Sequence, residues 1–253
     1  MNEFGICDLS IVPVRSEASD KSEIVTQLLF GDAFHVLEHH SSGRWMNIKV
    51  AYDGYEGWID PKQCQLVDED YFLKLQNTIP RYAAFGLVKS GSKAWPIVLG
   101  STLPYFHEGK ILLGQNVYDF DGHLATYDRE TLIKLAFNYL GSPYLWGGKT
   151  QFGIDCSGFT QQVFKLSGIK LPRDAKDQVK EGVPVEQSAD FETGDLAFFQ
   201  NEAGAVIHVG ILLGDNRIIH AHGEVKISKI DAKGVLNDDE DAYTHIWHSV
   251  RRA

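Results

Sequence analysis

One cysteine and a small group of histidines hold the reactive chemistry of this 253-residue chain. Cys156 stands in Asp155-Cys156-Ser157-Gly158-Phe159, at the head of a segment whose apolar residues recur at helical spacing. Phe159, Val163, Phe164 and Leu166 predict a helix over 157–167, with Gly168 as the residue that ends it. A helix N-terminus presents unpaired N–H groups and a partial positive charge, which favours a thiolate. Asp155 is placed to cap this helix, and the small Ser157 and Gly158 leave space above the sulfur. These features point to Cys156 as a nucleophile.

A thiol nucleophile needs a base that takes a proton and returns it. Among the ten histidines, His35, His39, His40, His107 and His123 fall in β-type segments and read as surface or loop residues. His208, His220 and His222 flank one predicted hairpin with the turn Gly214-Asp215-Asn216. A register centred on Gly214 sets His208 opposite His220, and one centred on Asp215 sets it opposite His222. In both, the three imidazoles share a face, because strand side chains alternate; a loop of even length would send His220 to the other face. Shared, one histidine serves as base and a second orients it. His220-Ala221-His222 is also compatible with a strand-borne zinc pair completed by His208 or Cys156. No further Cys or carboxylate sits at ligand spacing, so neither a metal nor another cofactor is expected. His222 itself reads as a solvated loop residue.

The elements that position these residues change style along the chain. Residues 1–66 read as short strands punctuated by turns, such as Ile24–Phe30 before Gly31-Asp32 and Gly57-Trp58-Ile59 after Asp53-Gly54, and predict a small β-barrel. Residues 67–124 repeat that style more loosely and are read as a second β module. Beyond residue 126, Leu132, Leu135, Ala136, Tyr139 and Leu140 predict a helix, with Asp128 as its cap and Gly141 and Pro143 as its stop. A short helix over 175–181, capped by Asp174, follows the Cys156 helix. Strands are then predicted over 195–199, 208–213, 217–221, 225–230 and 245–251. Helices followed by antiparallel strands make an α+β layout.

Composition narrows the function classes. Apolar residues make up 43% and charged residues 23%, which excludes a disordered or fibrous chain. The net charge of −10 is spread over both halves, with no basic stripe of the kind that binds nucleic acid. A polyanionic polymer would be repelled at long range, which favours a small soluble substrate. The opening MNEFGICDLS has neither a basic stretch nor an apolar core of the secretory type, and no apolar run approaches membrane-spanning length, so a cytoplasmic protein is expected. Cys7 and Cys64 read as reduced thiols rather than as a disulfide framework.

Asp155-Cys156-Ser157-Gly158-Phe159, His208-Val209-Gly210 and Ile219-His220-Ala221 together resemble the three motifs of the NlpC/P60 cysteine peptidases. Gly141-Ser142-Pro143-Tyr144-Leu145-Trp146-Gly147-Gly148, Leu171-Pro172-Arg173-Asp174-Ala175 and Thr193-Gly194-Asp195-Leu196 match that family's intervening segments. In the N-terminal half, residues 22–31 and Asp53-Gly54-Tyr55-Glu56-Gly57-Trp58 are similar to the first bacterial SH3-like domain of γ-D-glutamyl-L-diamino acid endopeptidases. The resemblance implies an α+β papain-like catalytic domain over 125–253, preceded by two small SH3-like barrels over 1–66 and 67–124. It implies that Cys156 attacks the scissile carbonyl, that His208 is base and then acid, and that His220 holds the His208 imidazole in place of the more familiar Asn or Asp. Tyr144 would lie near the oxyanion. Asp155, with Glu23 and Tyr55 from the first SH3-like domain, would receive a free substrate amine, and Ser157, Arg173 and Asp174 would complete the substrate-binding set. The implied substrate is a murein peptide with free L-Ala, γ-linked D-Glu and a diamino acid, cut after D-Glu by a monomeric enzyme of peptide recycling. Two rival functions fit the same residues: a peptidoglycan-tethering protein with an inactive peptidase domain, and an amidase or acyltransferase on the same Cys-His fold.

Overall fold

In a computed structural model of the protein, residues 3–125, 128–237 and 240–253 are described. The chain divides into two units, Met1–Tyr127 and Asp128–Ala253.

In the first unit, alternating residues between turns form β1 (Glu3–Ile6), β2 (Ile11–Arg15), β3 (Ile24–Leu29), β4 (Ala33–His39), β5 (Met46–Val50), β6 (Glu56–Ile59) and β7 (Gln65–Val67). They join in one antiparallel sheet, ordered β3-β2-β6-β5-β4-β1-β7. Its inward residues, among them Val12, Val14, Leu28, Phe34, Met46 and Ile48, are fully buried together. Cys7 and Cys64 are free thiols.

Residues 67–124 depart from the expected second barrel. They begin with a helix, α1 (Glu69–Gln76), which the sequence reading missed. Asp68 caps it by accepting from the Tyr71 N–H, and Glu69 and Asp70 supply the first-turn charge that helix starts favour. Next come β8 (Ala83–Ser90), β9 (Lys93–Ile97), β10 (Lys110–Leu113) and β11 (Asn116–Leu124), in one open four-stranded sheet ordered β10-β11-β8-β9. Tyr71 and Phe72 of α1 share one buried core with Phe4 and Ile6 of β1, with Phe30, and with Val88, Ile97 and Ile111 of the second sheet. A shared core of this kind removes the need for the second sheet to close on itself, and among the described residues it does not.

The second unit carries α2 (Leu132–Phe137), the two-residue strands β12 (Lys149–Thr150) and β13 (Gly153–Ile154), α3 (Cys156–Leu166), α4 (Ala175–Gln178) and β14 (Val183–Pro184). After them run β15 (Leu196–Gln200), β16 (Val206–Gly214), β17 (Arg217–His222), β18 (Glu224–Asp231), β19 (Gly234–Asn237) and β20 (Glu240–Arg252). The sheet is ordered β14-β20-β15-β16-β17-β18-β19, and β19 pairs back onto β20, so six strands close into a barrel. Phe199, Leu212, Ile218, Ile230, Val235 and Val250 fill its interior. The closing strand β19 was not expected: four residues are too few to show an alternation. Every residue of α3 is buried, and the helix lies on β16 and β17. No helix among the described residues is long and apolar enough to cross a membrane.

Candidate active site

The start of α3 is built around one carboxylate. Asp155 caps the helix: its Oδ1 accepts from the Gly158 N–H at 2.7 Å. Its Oδ2 accepts from the Gly147 N–H, also at 2.7 Å. Arg173 meets both oxygens, Nη1 to Oδ1 at 2.9 Å and Nη2 to Oδ2 at 2.6 Å, and also donates to Ser157 Oγ at 3.0 Å. Both side chains are almost wholly buried, 1% and 7% exposed. A planar guanidinium matches a carboxylate in this two-pronged way, so the pair fixes the turn before Cys156. Gly158 is required by space: a Cβ there would stand 2.3 Å from the Gly148 carbonyl oxygen.

Cys156 is therefore held at the first position of α3, buried, with its sulfur against the Val209 and Ser157 N–H groups. Burial works against the thiolate expected from the sequence. Burial pushes the thiol up to about 12, the Asp155 charge adds to the rise, and the two N–H groups and Arg173 oppose it only in part. The magnitudes explain this outcome. A helix terminus is worth about 0.3–1 kcal/mol, less than one pKa unit, whereas full burial moves a group by up to about 3–5 units.

The histidines converge as the hairpin argument requires. β16 and β17 pair Ile211 with Ile219 and Leu212 with Ile218, the register centred on Asp215. Gly214, Asp215 and Asn216 all take positive φ, which suits a tight turn of these residue types. His208 and His220 share a face, and His208 Nε2 lies 2.8 Å from His220 Nδ1. His220 Nε2 lies 2.9 Å from Ser228 Oγ on β18. Gly210 lies between them on that face, where a Cβ would come within 2.8 Å of His220 Cβ. Burial, together with the neighbouring rings, lowers both histidines, His208 well below its usual range and His220 to about 3. Both are neutral imidazoles near neutral pH.

Two members of this cluster were not found from the sequence. Ser228 sits in an unremarkable strand pattern. His245 of β20 stacks on His208 with ring centroids 3.9 Å apart and planes at 25°. It is 37 residues from His208 in sequence, and only the strand order β20-β15-β16 brings the two strands to either side of β15. His222 is exposed, as read from the sequence, but its ring stands 4.8 Å from that of His245.

The remaining expected residues are placed as follows. Tyr144 is partly exposed, and its phenol is pushed up by burial and by the nearby Cys156 and Asp155 charges. Ser157 is buried beside Asp155, while Asp174 keeps a partly exposed carboxylate 3.4 Å from the Lys176 ammonium. Glu23 is exposed ahead of β3, and Tyr55 packs partly against the core of the first sheet. A cavity of about 560 Å³ in the second unit, floored by Phe191, Leu212, Ile230 and Trp247, includes none of these residues.

Residues 141–241 match the NlpC/P60 family, and residues 14–63 match the bacterial dipeptidyl-peptidase Sh3 domain. The chain is 33% identical over 219 residues to the gamma-D-glutamyl-L-lysine dipeptidyl-peptidase of Bacillus subtilis (strain 168), covering 78% of this chain and 72% of that protein. It is 34% identical over 257 residues to dipeptidyl-peptidase 6 of Lysinibacillus sphaericus, covering 88% and 90%. Among solved structures, an NlpC/P60 family protein from Bacillus cereus ATCC 10987 shares the fold with a TM-score of 0.81 at 23% identity, over 98% of this chain and 99% of that one.

Proposed function

Since the chain belongs to the NlpC/P60 family, whose peptidases are cysteine peptidases, we propose that it cleaves the γ-D-glutamyl–diamino acid bond of small murein peptides with a free L-Ala, in cytoplasmic peptide recycling. The observation that carries this reading is the buried His208–His220–Ser228 line, which starts one residue from Val209, whose N–H lies against the Cys156 sulfur. If His220 Nε2–H donates to Ser228 Oγ, its Nδ1 accepts from His208 Nε2–H. That order of protons leaves the lone pair of His208 on Nδ1, ready for the thiol proton. Thiol and imidazole are both neutral at rest, so the proton passes to His208 as sulfur bonds to the carbonyl carbon. His220 then holds the His208 imidazolium, which returns the proton to the departing amine. Water releases the D-Glu carboxyl from the thioester. The Tyr144 hydroxyl faces the developing oxyanion.

The relatives' names support a γ-D-glutamyl substrate. A buried substrate ammonium needs acceptors. Asp155 already holds the Gly147 and Gly158 N–H groups and both prongs of Arg173. In this reading Asp155 and Arg173 chiefly position Cys156 and Ser157, and Asp174 is a further acceptor for the ammonium. Glu23 and Tyr55 supply the remaining acceptors. The test is hydrolysis of L-Ala-γ-D-Glu-diaminopimelate beside its N-acetylated twin. We expect cleavage of the first alone. Equal cleavage of both would defeat the free-amine requirement, and cleavage of neither by protein whose Cys156 still alkylates would favour the tethering or acyltransferase readings. Glu23→Ala should lower kcat/KM by about 10- to 150-fold, the worth of one charge-assisted hydrogen bond.

A further inference from the structure

We propose that His208, His220 and His245 form a binding site for one divalent transition-metal ion of the zinc class, and that its occupation switches the peptidase off. The binding claim stands apart from the function proposed above; the inhibitory claim rests on it.

Each of the three rings offers one nitrogen, and the three nitrogens lie within 4.8 Å of one another. Nitrogens about 2.0–2.1 Å from a tetrahedral ion stand about 3.3 Å apart, so the rings need shifts of no more than about 1.5 Å. The ring centroids are already close: 5.1 Å for His208 and His220, 3.9 Å for His208 and His245, and 5.8 Å for His220 and His245. Three imidazoles with an open fourth position make a zinc-type donor set, and imidazole suits zinc, copper and nickel better than calcium or magnesium. The rings come from β16, β17 and β20 of a closed barrel, so the framework exists before the ion arrives. The bond from His220 Nε2 to Ser228 Oγ fixes the ring from behind, as outer partners of metal-bound histidines do. His222, on the exposed side 4.8 Å from His245, or water takes the fourth position.

This differs from the zinc pair that the sequence suggested. His245, not Cys156, completes the set, and the ion is not a cofactor. It takes up the atoms of the proton path, His208 Nε2 and His220 Nδ1. When the ion binds His208 Nε2, the proton there moves to Nδ1 through solvent, so no proton is released overall. His208 then presents N–H to Cys156 in place of a lone pair and cannot accept the thiol proton. His220 keeps its Nε2–H on Ser228 throughout.

The experiment titrates full-length chelator-stripped Cys156→Ala protein with Zn²⁺ in a calorimeter, which excludes the thiol as ligand. We expect one ion per chain. Adding His245→Phe keeps a ring on His208 but removes the donor nitrogen. Loss of outer partners alone weakens metal sites by about 10- to 100-fold, so loss of a ligand should weaken this one by about 100-fold or more. His248→Phe, which changes an exposed histidine of the same strand, should bind as before. With Cys156 present, Zn²⁺ should abolish hydrolysis reversibly, and His245→Phe should need about 100-fold more ion. No binding by the Cys156→Ala chain, or equal binding with and without His245, would overturn the site. If His245→Phe does not fold, His245→Gln is read in the same way. Stoichiometric binding with no hydrolysis of any murein peptide would keep the site and discard the peptidase reading.

Discussion

Two buried polar clusters of the second unit solve burial in opposite ways. The Asp155–Arg173 pair is engaged on every side: both carboxylate oxygens and both terminal guanidinium nitrogens are bonded. The His208–His220–Ser228 line stays neutral, with one proton between each pair of heavy atoms. A buried charge must be held by several partners or it will not remain a charge. A buried neutral imidazole needs only one donor and one acceptor, and its proton is free to change sides. The first cluster is therefore a clamp, and the second is a proton path.

The largest effects should come from the path. Cys156→Ala should abolish hydrolysis with the fold intact, since it removes one sulfur from a wall otherwise unchanged; turnover in a clean sample would remove the nucleophile. His208→Ala should be nearly as severe. His220→Gln should be milder, because an amide still orients His208. The measurement is kcat and KM for each, with a fall confined to kcat expected for His220→Gln.

The clamp should fail as structure. Arg173→Met leaves the buried Asp155 carboxylate without its counter-charge, and breaking one side of a buried pair costs about 3–5 kcal/mol. Thermal unfolding should report a drop of several degrees, with loss of activity following loss of fold. Unchanged stability would mean that Asp155 is not held as described.

Two pH experiments sharpen the contrast. Iodoacetamide should alkylate Cys156 slowly at pH 7, and the rate should climb past pH 9 without a plateau, because the thiol titrates at about 12. A plateau below pH 7 would reveal a resting thiolate–imidazolium pair. For stability, the folded-state values of His208 and His220 lie below their unfolded value of about 6.5. The unfolded chain then binds more protons below that pH, so the histidine contribution is complete above pH 6.5 and is lost as pH falls toward 3. Melting temperatures at pH 7.5 and pH 5 should show the fall. A flat profile would contradict the neutral path.

Much of this was legible without coordinates. Local patterns decided the helix at Cys156, its Asp155 cap, the hairpin and the shared face of His208 and His220, because capping, turns and strand alternation act over a few residues. Three things were set only by tertiary structure. The residues after 67 built a helix and an open sheet on a core shared with the first strands, since Tyr71 and Phe72 found partners there that no local pattern names. The Cys156 thiol is pushed up where the helix terminus alone would lower it, because burial depends on the whole wall around the sulfur and outweighs a helix terminus. Finally, β19 closed the barrel, and the pairing of β15 with both β16 and β20 brought His245 onto His208; a contact across 37 residues is created by strand order, which short-range spacing does not encode.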